Sequence, residues 1–82
     1  MSYQIIYDKP ALKFLRKQPP DQQRRLVEAI HKLPKQGDIK PMAGRAEEYR
    51  LRVDPYRVLY TVRKTVLVVQ VLSIGNRCDV YK

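Results

Sequence analysis

From Glu47 onward the apolar residues of this chain recur at every second position, and that period governs what the C-terminal half can become. Tyr49, Leu51 and Val53 alternate with Arg50 and Arg52, so a strand here buries one side and holds two guanidinium groups out from the other. Asp54-Pro55 then suits a turn and interrupts strand pairing. The alternation resumes in Tyr56-Arg57-Val58-Leu59-Tyr60-Thr61-Val62 and brings a third arginine close by. The pattern predicts strands over about 48–53, 56–63 and 66–74, joined at Asp54-Pro55 and Arg63-Lys64-Thr65 into an antiparallel meander. The run Val66 to Ile74 is apolar on both faces, as a central strand buried on both sides should be. Gly75-Asn76 breaks it, and Arg77 to Tyr81 is expected as a short final extended segment.

The N-terminal half has a different period. Tyr3-Gln4-Ile5-Ile6-Tyr7 is rich in aromatic and β-branched residues and too short for a helix, which predicts a first strand. Asp8 is placed to act as an N-cap, with Pro10 in the first turn where its missing N–H costs least. Ala11, Leu12, Phe14, Leu15 and Gln18 then form one stripe of a helix. Pro19-Pro20 ends that helix, and Asp21 is expected to cap a second, in which Leu26, Val27, Ile30 and Leu33 recur at helical spacing. A short turn makes the two an antiparallel hairpin covering one sheet face. Lys13, Lys17, Arg24, Arg25 and Lys32 fall on its solvent side, where they either steer a polyanion or simply solvate the helices. Pro34 to Gly44 has little periodicity and reads as a loop. Lys35, Lys40 and Arg45 would let that region touch the phosphates of a nucleic acid; a plain connector is the simpler reading.

The expected fold is therefore α+β: an N-terminal strand, a two-helix hairpin, then a mainly antiparallel sheet. With 82 residues it is a single domain, 1–82, with one core and no room for an elaborate pocket. A large partner must bring much of its own order. The formal charge of +9 points to nucleic acid, an acidic protein or an anionic surface. Its distribution is uneven: residues 1–43 hold six Lys and three Arg, residues 44–82 six Arg and two Lys. Arginine's planar fork matches phosphate bidentately, so its concentration in the strand-rich half points to recognition. The lone Cys78 cannot form an internal disulfide, and no stretch reads as a signal peptide or membrane span, so a cytoplasmic protein without a membrane partner is expected.

Several chemistries are disfavoured. His31 is the only histidine and has no companion ligands for zinc; Cys78 has no evident partner for thiol catalysis. There is no Gly-rich phosphate loop and no carboxylate pair of the kind that holds Mg²⁺, so no cofactor is expected. If the chain cuts nucleic acid, it must do so without a metal, and RNA supplies its own nucleophile, the 2′-hydroxyl. Attack on the adjacent phosphorus builds negative charge that arginines are suited to stabilise, and Arg50, Arg52, Arg57 and Arg77 are the candidates. Guanidinium is a poor proton shuttle, so another group is needed, and Tyr81 is the candidate. Neighbouring cations favour its phenolate; it can also stack on a base, orient the 2′-hydroxyl, or close the edge of the core.

Taken together, Tyr49-Arg-Leu-Arg-Val, Pro55-Tyr-Arg-Val-Leu-Tyr60 and Ser73-Ile-Gly-Asn-Arg-Cys-Asp-Val-Tyr81 resemble the RelE branch of the RelE/ParE superfamily, toxins of type II toxin–antitoxin systems. The resemblance covers nearly the whole chain. It implies an endoribonuclease, an mRNA interferase, that cuts messenger RNA in the A site of the 70S ribosome without metal, and a cognate acidic RelB-like antitoxin that neutralises it. By position, Arg50 and Arg52 match the family's basic pair, Arg57 the arginine opening the next strand, Arg77 the arginine after the glycine, and Tyr81 the near-terminal tyrosine. The pair is often lysine in RelE proteins; with arginine at both positions, no lysine can donate or accept a proton there. Only Lys82 follows Tyr81, so the C-terminal helix of some relatives is not expected. Two other readings share the fold: a ParE-like toxin that inhibits DNA gyrase and cleaves nothing, and a silent member that only binds RNA or antitoxin.

Overall fold

The computed structural model describes residues 3–33, 35, 37–42 and 47–76. Along them run β1 (Gln4–Tyr7), α1 (Lys9–Arg16), α2 (Pro20–His31), β2 (Asp38–Pro41), β3 (Glu48–Val53), β4 (Tyr56–Arg63) and β5 (Val68–Asn76). The strands form one five-stranded sheet in the order β1-β5-β4-β3-β2. Its pairings are antiparallel except that β1 lies parallel to β5. The α+β fold expected from the sequence is the one that forms.

Both helices carry a proline in their first turn, Pro10 as the second residue of α1 and Pro20 as the first of α2, where a missing N–H leaves no hydrogen bond unmade. Neither expected aspartate cap operates. Asp8 holds the N-cap position of α1 without capping it; its carboxylate accepts a hydrogen bond from Gln70 Nε2 at 2.9 Å. Pro19 takes the N-cap of α2, leaving Asp21 in the first turn, where its charge favours the positive end of the helix dipole. The corner between the helices is tied by Gln23, whose Nε2 donates to the Gln18 carbonyl at 2.7 Å.

A second correction concerns Pro34 to Gly44, expected as a loop. Asp38–Pro41 is a strand, pairing along the outer edge of β3. Four residues with one large apolar side chain give too short a pattern to reveal a period. The last strand also starts later than expected, at Val68, because Lys64 to Leu67 form the turn and Val66 is left 62% exposed.

Residues paired across strands share a face, so the register divides the sheet into two surfaces. Ile5 and Tyr7 of β1, Val69, Val71 and Ile74 of β5, Tyr56, Val58, Tyr60 and Val62 of β4, Tyr49, Leu51 and Val53 of β3 and Ile39 of β2 lie on one side. The helices cover it. Ala11 and Leu15 of α1, Leu26 and Ile30 of α2, and Leu33 just beyond are buried in one cluster with Leu51, Val58, Tyr60, Val69 and Val71. Phe14 meets Tyr56 edge to face at 5.9 Å, and the Tyr56 hydroxyl reaches Gln18 Oε1 at 3.1 Å. A bulge between Leu59 and Tyr60 shifts the register against β5, so Ser73 pairs with Leu59 while Val71 pairs with Tyr60. That shift sends Ile74 into the core and turns Ser73 and Gly75 to the other side. Consequently β5 is interior in the sheet but buried mainly on its helix face, not equally on both as expected; Gln70 and Ser73 on the open side are half-buried.

Candidate functional site

The face without helices carries the arginines of β3 and β4 singled out from the sequence, Arg50, Arg52 and Arg57. On β3, Arg50 and Arg52 are two residues apart and so lie on the same side, about 7 Å from each other along the strand. Arg52 is paired with Arg57 of β4, and Arg50 with Leu59. Paired residues have Cβ atoms about 5 Å apart, and like charges placed directly opposite one another disfavour the sheet. An arrangement that costs the fold but concentrates two guanidinium groups is an anion site in outline. Lys40 of β2 is paired with Arg50 and extends the patch to the sheet edge.

The arginines differ in environment. Arg57 is 6% exposed, whereas the side chain of Arg52 is 40% exposed and its Nε donates to Asp54 Oδ1 at 2.8 Å. The same turn is held to the helix layer by Arg25, whose Nη2 donates to the Asp54 carbonyl at 2.9 Å. Across from Arg57 on β5 stands Gly75, which adds no side chain to the face. Arg50, Arg52 and Arg57 all have partners within the protein, so the array is pre-positioned before any ligand arrives.

Of the residues singled out from the sequence, Arg50, Arg52, Arg57 and Lys40 are thus brought onto one face. Lys35 is not; it is exposed in the turn after α2, away from the sheet register. Arg45, Arg77 and Tyr81 lie outside the described residues, as does Cys78. His31 is an exposed residue ending α2, and among the described residues no group of His, Cys, Asp or Glu is placed to hold a metal ion. Glu48 also belongs to the arginine face, although the sequence reading passes over it. The alternation that places Arg50 and Arg52 there places Glu48 as well, across from Thr61.

Two other features lie on the far side of the sheet. A cavity of about 250 Å³ is lined by Ile39, Tyr49, Tyr60, Val62 and Lys64, with the two tyrosine rings stacked at 5.7 Å. Burial first, and then Tyr49 beside it, push the Tyr60 phenol up to about 12, so this tyrosine keeps its proton and is no substitute for Tyr81. The outer side of α1 shows Lys9, Lys13, Arg16 and Lys17 around Leu12.

A small sheet roofed by two helices on one face is a fold that this chain shares with RelE toxins of known structure. Residues 5–81 match the family described as ParE toxin of type II toxin-antitoxin system, parDE, and the chain belongs to it as a RelE-like member. It is 32% identical, over its whole length and 98% of the relative's, to a Methanocaldococcus jannaschii protein named "Putative toxin RelE1". In structure it is similar to the toxin chain of the archaeal RelE-RelB complex from Pyrococcus horikoshii OT3. That match has a TM-score of 0.79 at 25% identity and covers 96% of this chain and 99% of the other. It is similar as well to the isolated E. coli RelE toxin, with a TM-score of 0.71 at 28% identity, covering 98% of this chain and 92% of that one.

Proposed function

We propose that the chain is an mRNA interferase, an endoribonuclease that acts on messenger RNA in the ribosomal A site. The observation that carries this reading is the register pairing of Arg52 with Arg57, with Arg50 beside them on the open face. A phosphate on this face gains a bidentate cationic clamp, and the charge that builds on its oxygens during 2′-oxygen attack is stabilised where it forms. Arg77 adds to the clamp and Tyr81 assists proton transfer, as the family resemblance implies for these positions. Lys40 holds the flanking RNA backbone at the sheet edge, and Lys35 and Arg45 are kept as RNA contacts from the sequence reading alone. A shallow face of this size does not order a flexible RNA by itself; the ribosome supplies that order. An acidic RelB-like antitoxin neutralises the toxin by covering the arginines, in keeping with the charge of +9 and with the RelB-bound state of the Pyrococcus horikoshii relative.

Primer extension on a reporter message, free or on programmed ribosomes, tests the reading. Cuts are expected only with ribosomes, and Tyr81→Phe is expected to slow them by 10²-fold or more. The family match to ParE toxins favours one alternative, inhibition of DNA gyrase. Growth arrest by protein that cuts no message, together with a positive supercoiling-inhibition assay, would establish that alternative instead.

A further inference from the structure

The arginine array leaves the reaction one group short. Transfer to phosphorus needs an acceptor for the 2′-hydroxyl proton, and guanidinium holds its protons at any pH at which the protein works. Lysine is absent from both positions of the basic pair, 50 and 52. We infer that Glu48 is that acceptor, the catalytic base of the ribonuclease reading on which this inference rests.

Three observations support it. Glu48 is on β3 two residues before Arg50, so it shares the arginine face at a strand spacing of about 7 Å, within reach of the ribose attached to a phosphate held by Arg50. It is half-buried, which limits the orientations open to its carboxylate. Its cross-strand partner is Thr61, whose buried Oγ1 makes no hydrogen bond and so has a donor to offer a carboxylate that turns towards it. Glu48, too, has a partner within the protein, so position decides: Asp54 lies at the far turn and Asp8 beyond β5, and neither stands next to Arg50. Among the described residues, Asp38, paired with Arg52 on the edge strand, is the one rival by register.

The step balances with groups already named. The Glu48 carboxylate takes the 2′-hydroxyl proton while the 2′-oxygen bonds to phosphorus; the bond from phosphorus to the 5′-oxygen breaks, and that oxygen takes a proton from the Tyr81 phenol. The products are a 2′,3′-cyclic phosphate and a 5′-hydroxyl, with no change of oxidation state.

Single-turnover cleavage on programmed ribosomes, with wild type, Glu48→Gln, Glu48→Asp and Asp38→Asn, tests the inference. Glu48→Gln keeps the shape and removes the base, and is expected to lower kcat by 10²-fold or more with KM unchanged and Tm within a few degrees of wild type. Glu48→Asp is expected to recover part of that loss, and Asp38→Asn to cut within about threefold of wild type. A role confined to holding Arg50 in place would raise KM or lower Tm. A message whose scissile 5′-oxygen is replaced by sulfur needs no acid for its leaving group, and the loss in Glu48→Gln is expected to persist on it. Wild-type rates in Glu48→Gln, rescue by the sulfur substrate, or collapse in Asp38→Asn alone would each overturn the assignment while leaving the ribonuclease reading intact. A wild type that leaves ribosome-bound message uncut would overturn both.

Discussion

Tyr60 sits in the middle of the core, 1% exposed, stacked on Tyr49 and facing the helix layer. Burial makes its phenolate unfavourable, and this has a consequence for stability against pH. An unfolded chain ionises its tyrosines near pH 10, whereas folded Tyr60 keeps its proton to about 12. Below pH 10 both states are neutral and the stabilisation is fully present. Between pH 10 and about 12 the unfolded state ionises first, so stability falls as pH rises through that window. A shift of this size corresponds to on the order of 2 kcal/mol. Tyr7, raised by burial as well, adds in the same direction. Urea denaturation across pH 8 to 12 is expected to be flat to about pH 10 and then to lose stability, and Tyr60→Phe is expected to remove much of the loss. An equal loss in both proteins would show that Tyr60 ionises in the folded state as readily as in the unfolded one.

At the scale of elements, β2 is where the fold was least legible and where one residue matters most. Strands β3 and β4 could be read to the residue, because Tyr49, Leu51 and Val53, then Tyr56, Val58, Tyr60 and Val62, repeat the period often enough to fix it. Strand β2 offers Ile39 alone between Asp38 and Lys40, and its pairing depends on β3, which lies later in the chain. The bulge that leaves Leu72 without a cross-strand partner was hidden for the opposite reason: a run apolar on both faces accepts either register without any residue being misplaced. The basic face shows the same division. Arg50, Arg52 and Arg57 followed from alternation within their own strands, whereas the nearness of Lys40 to Arg50 required the missed strand. Gly37 delivers the chain into β2 with φ at +128°, a conformation that side chains other than glycine rarely adopt, and a Cβ there would meet Leu51 Cδ1 at 2.6 Å. Gly37→Ala is therefore expected to destabilise by about 1–2 kcal/mol, lowering Tm by on the order of 5–10 °C in a thermal melt. An unchanged melting curve would mean that β2 contributes little to the sheet.

For the whole molecule, the sheet separates the core, which lies on the helix face, from the arginines on the open face. Under the proposed function, changes on the open face should alter binding without unfolding the protein, provided the side chain is not fully buried. Arg52 meets this condition, since its bond to Asp54 is a surface ion pair of the kind that contributes between zero and about 1 kcal/mol. Arg50 is half-buried on the same strand. Arg50→Gln with Arg52→Gln is expected to keep Tm within a few degrees of wild type. Each contact to a single-stranded phosphate contributes about 0.7 to the slope of log K against log salt, so losing two should flatten that slope by about 1.4. The measurement uses an RNA with a 2′-deoxy sugar at the cleavage position, which binds but cannot react. Arg57→Gln is the contrast: with 6% exposure and partners in the folded protein, its guanidinium supports the sheet as well as the ligand, so both Tm and affinity should drop. If the double variant melted as early as Arg57→Gln, the open face would be part of the scaffold; if its salt slope stayed at the wild-type value, the RNA backbone would be held elsewhere, and the basic outer side of α1 would be the next surface to test.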